Sequence, residues 1–361
     1  MNQEIREQYP VLNNYTYLNT ASSGILSKDI YQFRREHDDL FLEKGSIFRD
    51  RYLKYVLQIK KSLEFVFSCP AERIGLVPNY SWGINALAEG LDIGNKILTV
   101  QNEYPSVVEP FKSRGFKIEY VRGPGDKLEN ICNQIKEIKP QVLLVSAVQW
   151  TTGNYITDTE FQTIKKLFPE LLILVDGTQS VGTAPLNFEE SGIDALITSG
   201  YKWVGAGYGN GFILMSKQLE DSIKLKIIGN NTIMDRFFTK RNNIGQVWEP
   251  GHIDTLNFIT LQKAVKKLDR IGLDKIENHI KKLALTLKTG LVQSGYLPAS
   301  HLSGNKHSGI VLLPGTFDIV RKLKAQDVIV SFRDGIRVSY HYYNTKEDVG
   351  RFLEAFRLIV G

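Results

Sequence analysis

"LILVDGTQSVG", Leu172 to Gly182, and "DALITSGYKWVGAGYGNGFI", Asp194 to Ile213, decide how the chain is read. Each opens with a short apolar run of the kind that makes a buried strand. The first run ends on Asp176, and the second leads to Lys202. Outward from this pair, "NKILTV" (95–100), "FKIEYV" (116–121), "QVLLVSAV" (141–148) and "GNGFILMS" (209–216) read as further strands. "KLENICNQIKEI" and "DTEFQTIKKLF" lie between strands and have helical spacing. Continuous apolar strands separated by helices predict an α/β fold with a mostly parallel sheet covered on both faces. In such a sheet ligands bind beyond the carboxyl ends of the strands. Asp176, the stretch from Ser199 to Lys202, and the turns after Val100 and Val148 are therefore expected to converge on one site.

After about residue 255 the pattern changes to long helices (256–291), then "SGIVLLP", "VIVSF" and "GIRVSY" as strands and "KEDVGRFLEAFRLIV" as a closing helix. We expect a large domain over 15–255 and a smaller α+β domain over 256–361, with residues 1–14 packing near the latter.

Composition narrows the class. The chain has 361 residues, 42% hydrophobic and 23% charged, as soluble globular proteins do. Its net charge of +6 is spread among almost as many acids, so no basic patch points to nucleic acid. "KKLDRIGLDKIENHIKKLALTLKTG" is a solvated helix face of this kind. Two cysteines, Cys69 and Cys132, are too few for a disulfide framework or a Cys-rich metal site. No metal is expected. "MNQEIREQYPVL" lacks the apolar region of a signal peptide, and no apolar run reaches the ~20 residues of a membrane span. The expected setting is the cytoplasm.

Lys202 follows an apolar strand and precedes Trp203 and a glycine-rich turn. Burial would lower its pKa and free the amine to attack a carbonyl. A surface lysine with its stem along Trp203 is the alternative. Asp176, ending "LLILVD", is costly to bury unpaired. It could cap a helix through "DGTQS". It could instead hold a protonated pyridine nitrogen, and with a lysine on the next strand end that is the mark of pyridoxal phosphate enzymes. The glycines at 205, 207, 209 and 211 do not have the spacing of a dinucleotide loop, and a strand rather than a helix follows them.

"VDGTQSVGTAPLNFEESGIDALITSGYKW" resembles the core signature of the class V aminotransferase family, pyridoxal phosphate enzymes of fold type I that include cysteine desulfurases, kynureninase-like hydrolases and isopenicillin-N-epimerase-like proteins. The resemblance extends over nearly the whole chain. It implies a fold type I transferase, a pyridoxal 5'-phosphate cofactor on Lys202 and a homodimer. "VPNYSWGINALAEGL" is similar to the family's phosphate-binding turn, which implies that Tyr80, Ser81 and the Trp82 backbone hold the phosphate at a helix N-terminus; Ser81 could equally cap that helix. "NEYPSVVEPF" implies that Tyr104 stacks on the cofactor ring, with core packing as the alternative. By the same match Asp176 faces the ring nitrogen, Gln179 bonds the phenolic oxygen, and Ser199 and Tyr201 reach the phosphate. Tyr201 stands where desulfurases often carry His. "SAVQWTTGNYITD" implies Gln149 and Trp150 near the ring, although a desulfurase usually has Asn where Trp150 falls.

"YTYLNTASSGILS" resembles the stretch that lines the substrate side, bringing in Asn19. "VSFRDGIRVSYHYYNTKEDVGRF" resembles the C-terminal signature whose Arg grips the substrate carboxylate; Arg337 takes that place and Arg333 is the second choice. A strand-surface ion pair is the alternative for Arg337. "VWEPGHIDTLNF" resembles the segment that reaches the partner subunit's phosphate, with His252 where Thr is usual.

A desulfurase needs a cysteine shortly before that Arg, and no Cys occurs between Leu256 and Gly361. The expected function is therefore chemistry at the α-amino group of a small amino acid through a Lys202 aldimine, aminotransferase-like first. An epimerase or a carbon–sulfur β-elimination lyase is the alternative. A non-catalytic regulatory protein on the same fold, or a nucleotide-binding α/β protein, is the reading from another class.

Overall fold

The structure is a computed structural model that describes residues 3–123, 127–233, 244–302 and 308–361. The apolar runs form strands where expected. The central sheet is built from β2 (Ile74–Val77), β3 (Lys96–Thr99), β4 (Lys117–Tyr120), β5 (Val142–Ser146), β6 (Leu172–Asp176), β7 (Ala195–Ser199) and β8 (Gly211–Met215), following a short β1 (Thr16–Tyr17) that lies outside it. The strand order is β2-β8-β7-β6-β5-β3-β4, and only β8 runs antiparallel to its neighbours. Strand alternation sends the two faces into different cores. Val142, Leu144, Leu172 and Leu174 join one apolar cluster, while Leu143, Val145, Ile173 and Val175 join the other. Burial on both faces is why these runs carry no polar alternation.

The chain places β4 on one side of β3 and β5 on the other. That reversal opens a crevice beyond the carboxyl ends of β3 and β5, the usual ligand position in an open α/β sheet.

The remaining strands are β9 (Ile310–Leu313), β10 (Val328–Ile329), β11 (Ser331–Phe332) and β12 (Ile336–Ser339). "VIVSF" was expected as one strand and is two. Val328 and Ile329 pair in parallel with β1, while Ser331 and Phe332 pair antiparallel with β12 in a three-stranded sheet with β9. The break falls at Val330, where the backbone passes from one ladder to the other. The helix Thr255–Ile271 lies against the helices Lys28–Lys44 and Tyr52–Phe67.

The C-terminal aromatics Tyr340, Tyr342 and Tyr343 are buried in the core. Tyr342 shares its hydroxyl with Tyr9, Tyr343 bonds Thr20 at 2.6 Å, and Arg6 donates to Asp348 at 2.7 Å. These bonds fasten the N-terminal segment to the last strand and helix.

Candidate active site

Three neighbouring strands end on polar side chains: Ser146 on β5, Asp176 on β6 and Ser199 on β7. The register sets Ser146 directly beside Asp176. Beyond them opens a cavity of about 450 Å³ whose lining includes Tyr80, Ser81, Tyr104, Ser146, Trp150, Asp176, Thr178, Gln179, Ser199, Tyr201 and Lys202. That is the size of an ordinary small-molecule site. Tyr80, Ser81, Tyr104, Trp150, Asp176, Gln179, Ser199, Tyr201 and Lys202 were each singled out in the sequence, and one cavity gathers them all.

Asp176 is 6% exposed, and it caps no helix, the next one beginning at Phe188. Instead its Oδ1 accepts the Thr178 N–H at 2.8 Å, closing a tight turn. Burial raises its carboxyl pKa; the Thr178 bonds and the Lys202 charge oppose the shift. Among the described residues no cation lies within ion-pair distance of it. Asp194, at the start of the next strand, is different. Lys165 pairs with it at 2.7 Å, and Ser216 and the Ile173 N–H also donate to it. Asp194 is a satisfied structural acid, whereas Asp176 lines the cavity.

Burial pulls the Lys202 ammonium down to about 8; Asp176 opposes the shift, and Arg337 and Arg333 add to it. The amine stands 6.0 Å from the Tyr104 ring centre and 5.6 Å from that of Tyr201. A lysine with ordinary titration would be protonated at pH 9, whereas Lys202 is then mostly free amine. Amine-directed modification of Lys202 is therefore expected to rise with pH through a midpoint near 8 rather than 10.5, measured site by site by mass spectrometry.

The helix Tyr80–Gly90 begins at the cavity. Its cap is Asn79 rather than Ser81: Asn79 Oδ1 accepts the Trp82 N–H at 2.9 Å. That corrects the expectation for Trp82, whose backbone N–H is already occupied and whose side chain sits outside the cavity against Trp248. The Tyr80 N–H goes to Ser199 Oγ at 2.8 Å, and Ser81 Oγ goes to Ser106. The Ser81 N–H has no partner among the described residues. Neither does the buried Tyr80 hydroxyl.

Arg337 is 2% exposed. Its guanidinium donates to the Trp150 carbonyl at 2.6 Å, Ser22 Oγ at 2.7 Å and Ser331 Oγ at 3.2 Å. No carboxylate among the described residues pairs with it, so the strand-surface ion pair is not formed. Burial, with Arg333 nearby, lowers its pKa to about 10. Arg333 is exposed on the turn between β11 and β12, where it donates to the Phe332 carbonyl. Asn19 bridges to Ser339 and has a buried Oδ1 without a partner among the described residues. His252 is exposed and, like Asn19, Arg333 and Arg337, is not among the residues lining the cavity; Arg337 reaches its edge through the Trp150 carbonyl.

Gln149 departs from its expected place near the ring. Its Oε1 accepts from the Thr151 and Thr152 backbones and hydroxyls, its Nε2 donates to the Asn102 carbonyl, and it lines a neighbouring cavity of about 280 Å³.

Glu103 was missed as an individual residue, although it lies in the quoted "NEYPS". Its carboxylate accepts both the N–H and the hydroxyl of Ser146, at 2.7 and 2.6 Å, tying the turn after β3 to the end of β5. Burial, with the Asp176 charge adding, pushes its pKa up to about 7. An acid three residues past the "LTV" run was the available signal. Ser22, 315 residues from Arg337 in sequence, gave none.

The glycines of "VGAGYGNG" serve the backbone. Gly205, Gly207 and Gly209 all have positive φ (69°, 72° and 83°), and β8 follows, so no phosphate loop opens a helix here. Gly24 allows a close approach: a Cβ there would lie 1.9 Å from the Lys202 carbonyl oxygen.

Comparison with known proteins agrees with this geometry. The class-V aminotransferase family model matches residues 52–315. A probable cysteine desulfurase of Pyrococcus abyssi is 24% identical, over 99% of this chain and 97% of its own length. An uncharacterized aminotransferase, YcbU, of Bacillus subtilis is 22% identical over 96% of this chain and 95% of its own. Among solved structures, the cystine C-S lyase C-DES, in complex with its product cysteine persulfide, superposes with a TM-score of 0.87 at 21% identity, covering 97% of this chain and 99% of that one. The chain belongs to the class V aminotransferase family and is a pyridoxal phosphate-dependent enzyme of fold type I.

Proposed function

We propose that the protein acts on the α-amino group of a small amino acid, with aminotransferase-like chemistry, and that the cavity beyond β5–β7 is the site. The observation that carries this is the pairing of Lys202, held near pKa 8 beside Asp176, with a buried Arg337 that has no acid of its own.

The residues fit the cofactor. The unpartnered Ser81 N–H sits at a helix N-terminus, where an anion such as phosphate is favoured, and the orphaned Tyr80 hydroxyl lies in the field of Asp176 and Glu103. The Asp176 carboxylate, which lines the cavity, is of the right kind to accept a pyridinium N–H, and Tyr104 offers a ring face near the amine. When bound, pyridoxal phosphate supplies an aldehyde for amine exchange and a ring that accepts electrons from Cα. Lys202 supplies the nucleophilic amine and then carries a proton to and from Cα. Asp176 would hold the proton of the ring nitrogen. Arg337 would hold the substrate carboxylate through two parallel hydrogen bonds and so orient Cα. Trp150 and Tyr201 wall the site against water. Arg333, Asn19 and His252 remain in reserve for the substrate side and for a partner subunit.

A carbon–sulfur β-elimination is the second reading, favoured by the likeness to C-DES. Neither reading needs a protein thiol. Cys69 is buried under the sheet with its pKa raised to about 12, and Cys132 is buried in the helix Leu128–Ile138. We place the working enzyme in the cytoplasm as a homodimer. Exposed Leu42, Ile47 and Phe65, on two early helices and the turn between them, support the dimer. Among the described residues no helix is long and apolar enough to cross a membrane.

A panel of amino acids separates the reactions. Transamination is expected to yield an oxo acid only when a 2-oxo acid acceptor is present, with no ammonia released. Oxo acid and ammonia formed without an acceptor would establish elimination instead, and inverted configuration alone would establish epimerisation.

A further inference from the structure

Gln179 is held at both ends of its carboxamide. Its Oε1 accepts the Trp203 indole N–H at 2.7 Å, and its Nε2 donates to the Ala21 carbonyl at 3.1 Å. An indole nitrogen can only donate and a carbonyl oxygen can only accept. One orientation of the amide satisfies both, and the flipped one satisfies neither. That orientation leaves the second hydrogen on Nε2 without a protein partner among the described residues, on a side chain that lines the cavity.

Trp203 is itself fixed. It is 1% exposed, and a Cβ on Gly309 would lie 2.5 Å from its ring. His341 stands edge-on to the indole at 5.3 Å and bonds the Trp203 carbonyl through Nε2 at 2.7 Å. A carbonyl partner requires the proton on Nε2, so His341 is the Nε2–H tautomer. Burial holds its pKa down to about 3, which keeps it neutral.

We propose that Trp203 is a positioning residue: its indole N–H locks the Gln179 carboxamide so that one Nε2–H is always presented to the oxygen of a ligand in the cavity. This rests on the pyridoxal phosphate reading, in which that oxygen is the cofactor's phenolic one. The residue after the cofactor lysine thereby sets the polarity of a side chain on the neighbouring strand end. Trp203 touches neither cofactor nor substrate; it acts through Gln179.

The test is a double-mutant cycle on the full chain, read as the dissociation constant of pyridoxal phosphate. Trp203→Phe keeps an aromatic ring and removes the donor. Binding is expected to weaken roughly threefold to tenfold, the scale of one hydrogen bond, with a shift of the bound cofactor's visible band. In a Gln179→Ala background the same change should have no further effect. Equal weakening in both backgrounds would overturn the proposal, because a purely structural role for the ring would persist without Gln179. If Trp203→Phe does not fold, benzothienylalanine placed at 203 keeps the bicyclic shape without the N–H and supports the same comparison. The parent protein serves as control for the cofactor: failure of the unmodified chain to bind pyridoxal phosphate would sink the functional reading itself, whereas binding without coupling sinks only the role of Trp203.

Discussion

Lys202→Ala is expected to lower turnover by roughly 10³-fold or more while leaving the fold intact. Lys202 has two tasks in this account, nucleophile and proton carrier, and no nearby group can assume both. Tyr201 also stands beside the amine, and burial has raised its pKa to about 12, too high to supply a free base near neutrality. Stability should not fall, because a buried amine with its pKa lowered to about 8 is costly to keep charged. The sign follows from the shift: the folded state binds this proton less readily than the unfolded chain does. The penalty from Lys202 is therefore full below pH 8 and fades as pH rises toward 10.5. Kinetics on the amino-acid panel, with thermal melts of the same samples, check both halves. A variant that keeps most of its activity would contradict the assignment.

Arg337→Met should separate function from stability even more clearly. A substrate carboxylate bound by this guanidinium makes two charge-assisted hydrogen bonds in a dry site, and losing them is expected to cost roughly 2–5 kcal/mol, a fall in kcat/KM of about 30-fold to several thousandfold. Free of substrate, the same guanidinium is buried without an acid and its pKa is lowered to about 10. Removing an unpaired buried charge in favour of an apolar chain of similar length is often neutral or stabilising. Against this stand three hydrogen bonds, to Trp150, Ser22 and Ser331, whose acceptors would lose their donor. The two effects oppose each other, and the melting temperature is expected to change little. A large drop in stability with unchanged kinetics would make Arg337 a structural tie between β12 and the Trp150 turn.

The sequence reveals this fold where information is local. β5 and β6 are continuous apolar runs because both faces of the central sheet are buried, and each ends on the polar residue that marks the cavity. Asp176, Gln179 and Lys202 are legible because a polar or charged side chain at the end of a buried strand demands a reason. Long-range partners are not legible. Which of Asn79 and Ser81 caps the helix depends on how β2 delivers the chain to it, and Ser81 turns out to reach Ser106 instead. Gln149 looked like a cofactor residue, yet the two threonines after it draw its amide into its own loop. The split of 328–332 into two ladders required the N-terminal β1 to arrive alongside β10. Arg337 could be read as an ion pair or an anchor until its surroundings showed hydroxyls and a carbonyl in place of an acid.

The central claim is that Lys202 is the residue that takes the cofactor. Its most direct test is borohydride reduction of the protein with bound pyridoxal phosphate, followed by peptide mapping. The account predicts one phosphopyridoxyl group, on the peptide carrying Lys202, with the visible band lost on reduction. Label scattered over surface lysines such as Lys217 and Lys226, with Lys202 unmodified, would contradict it.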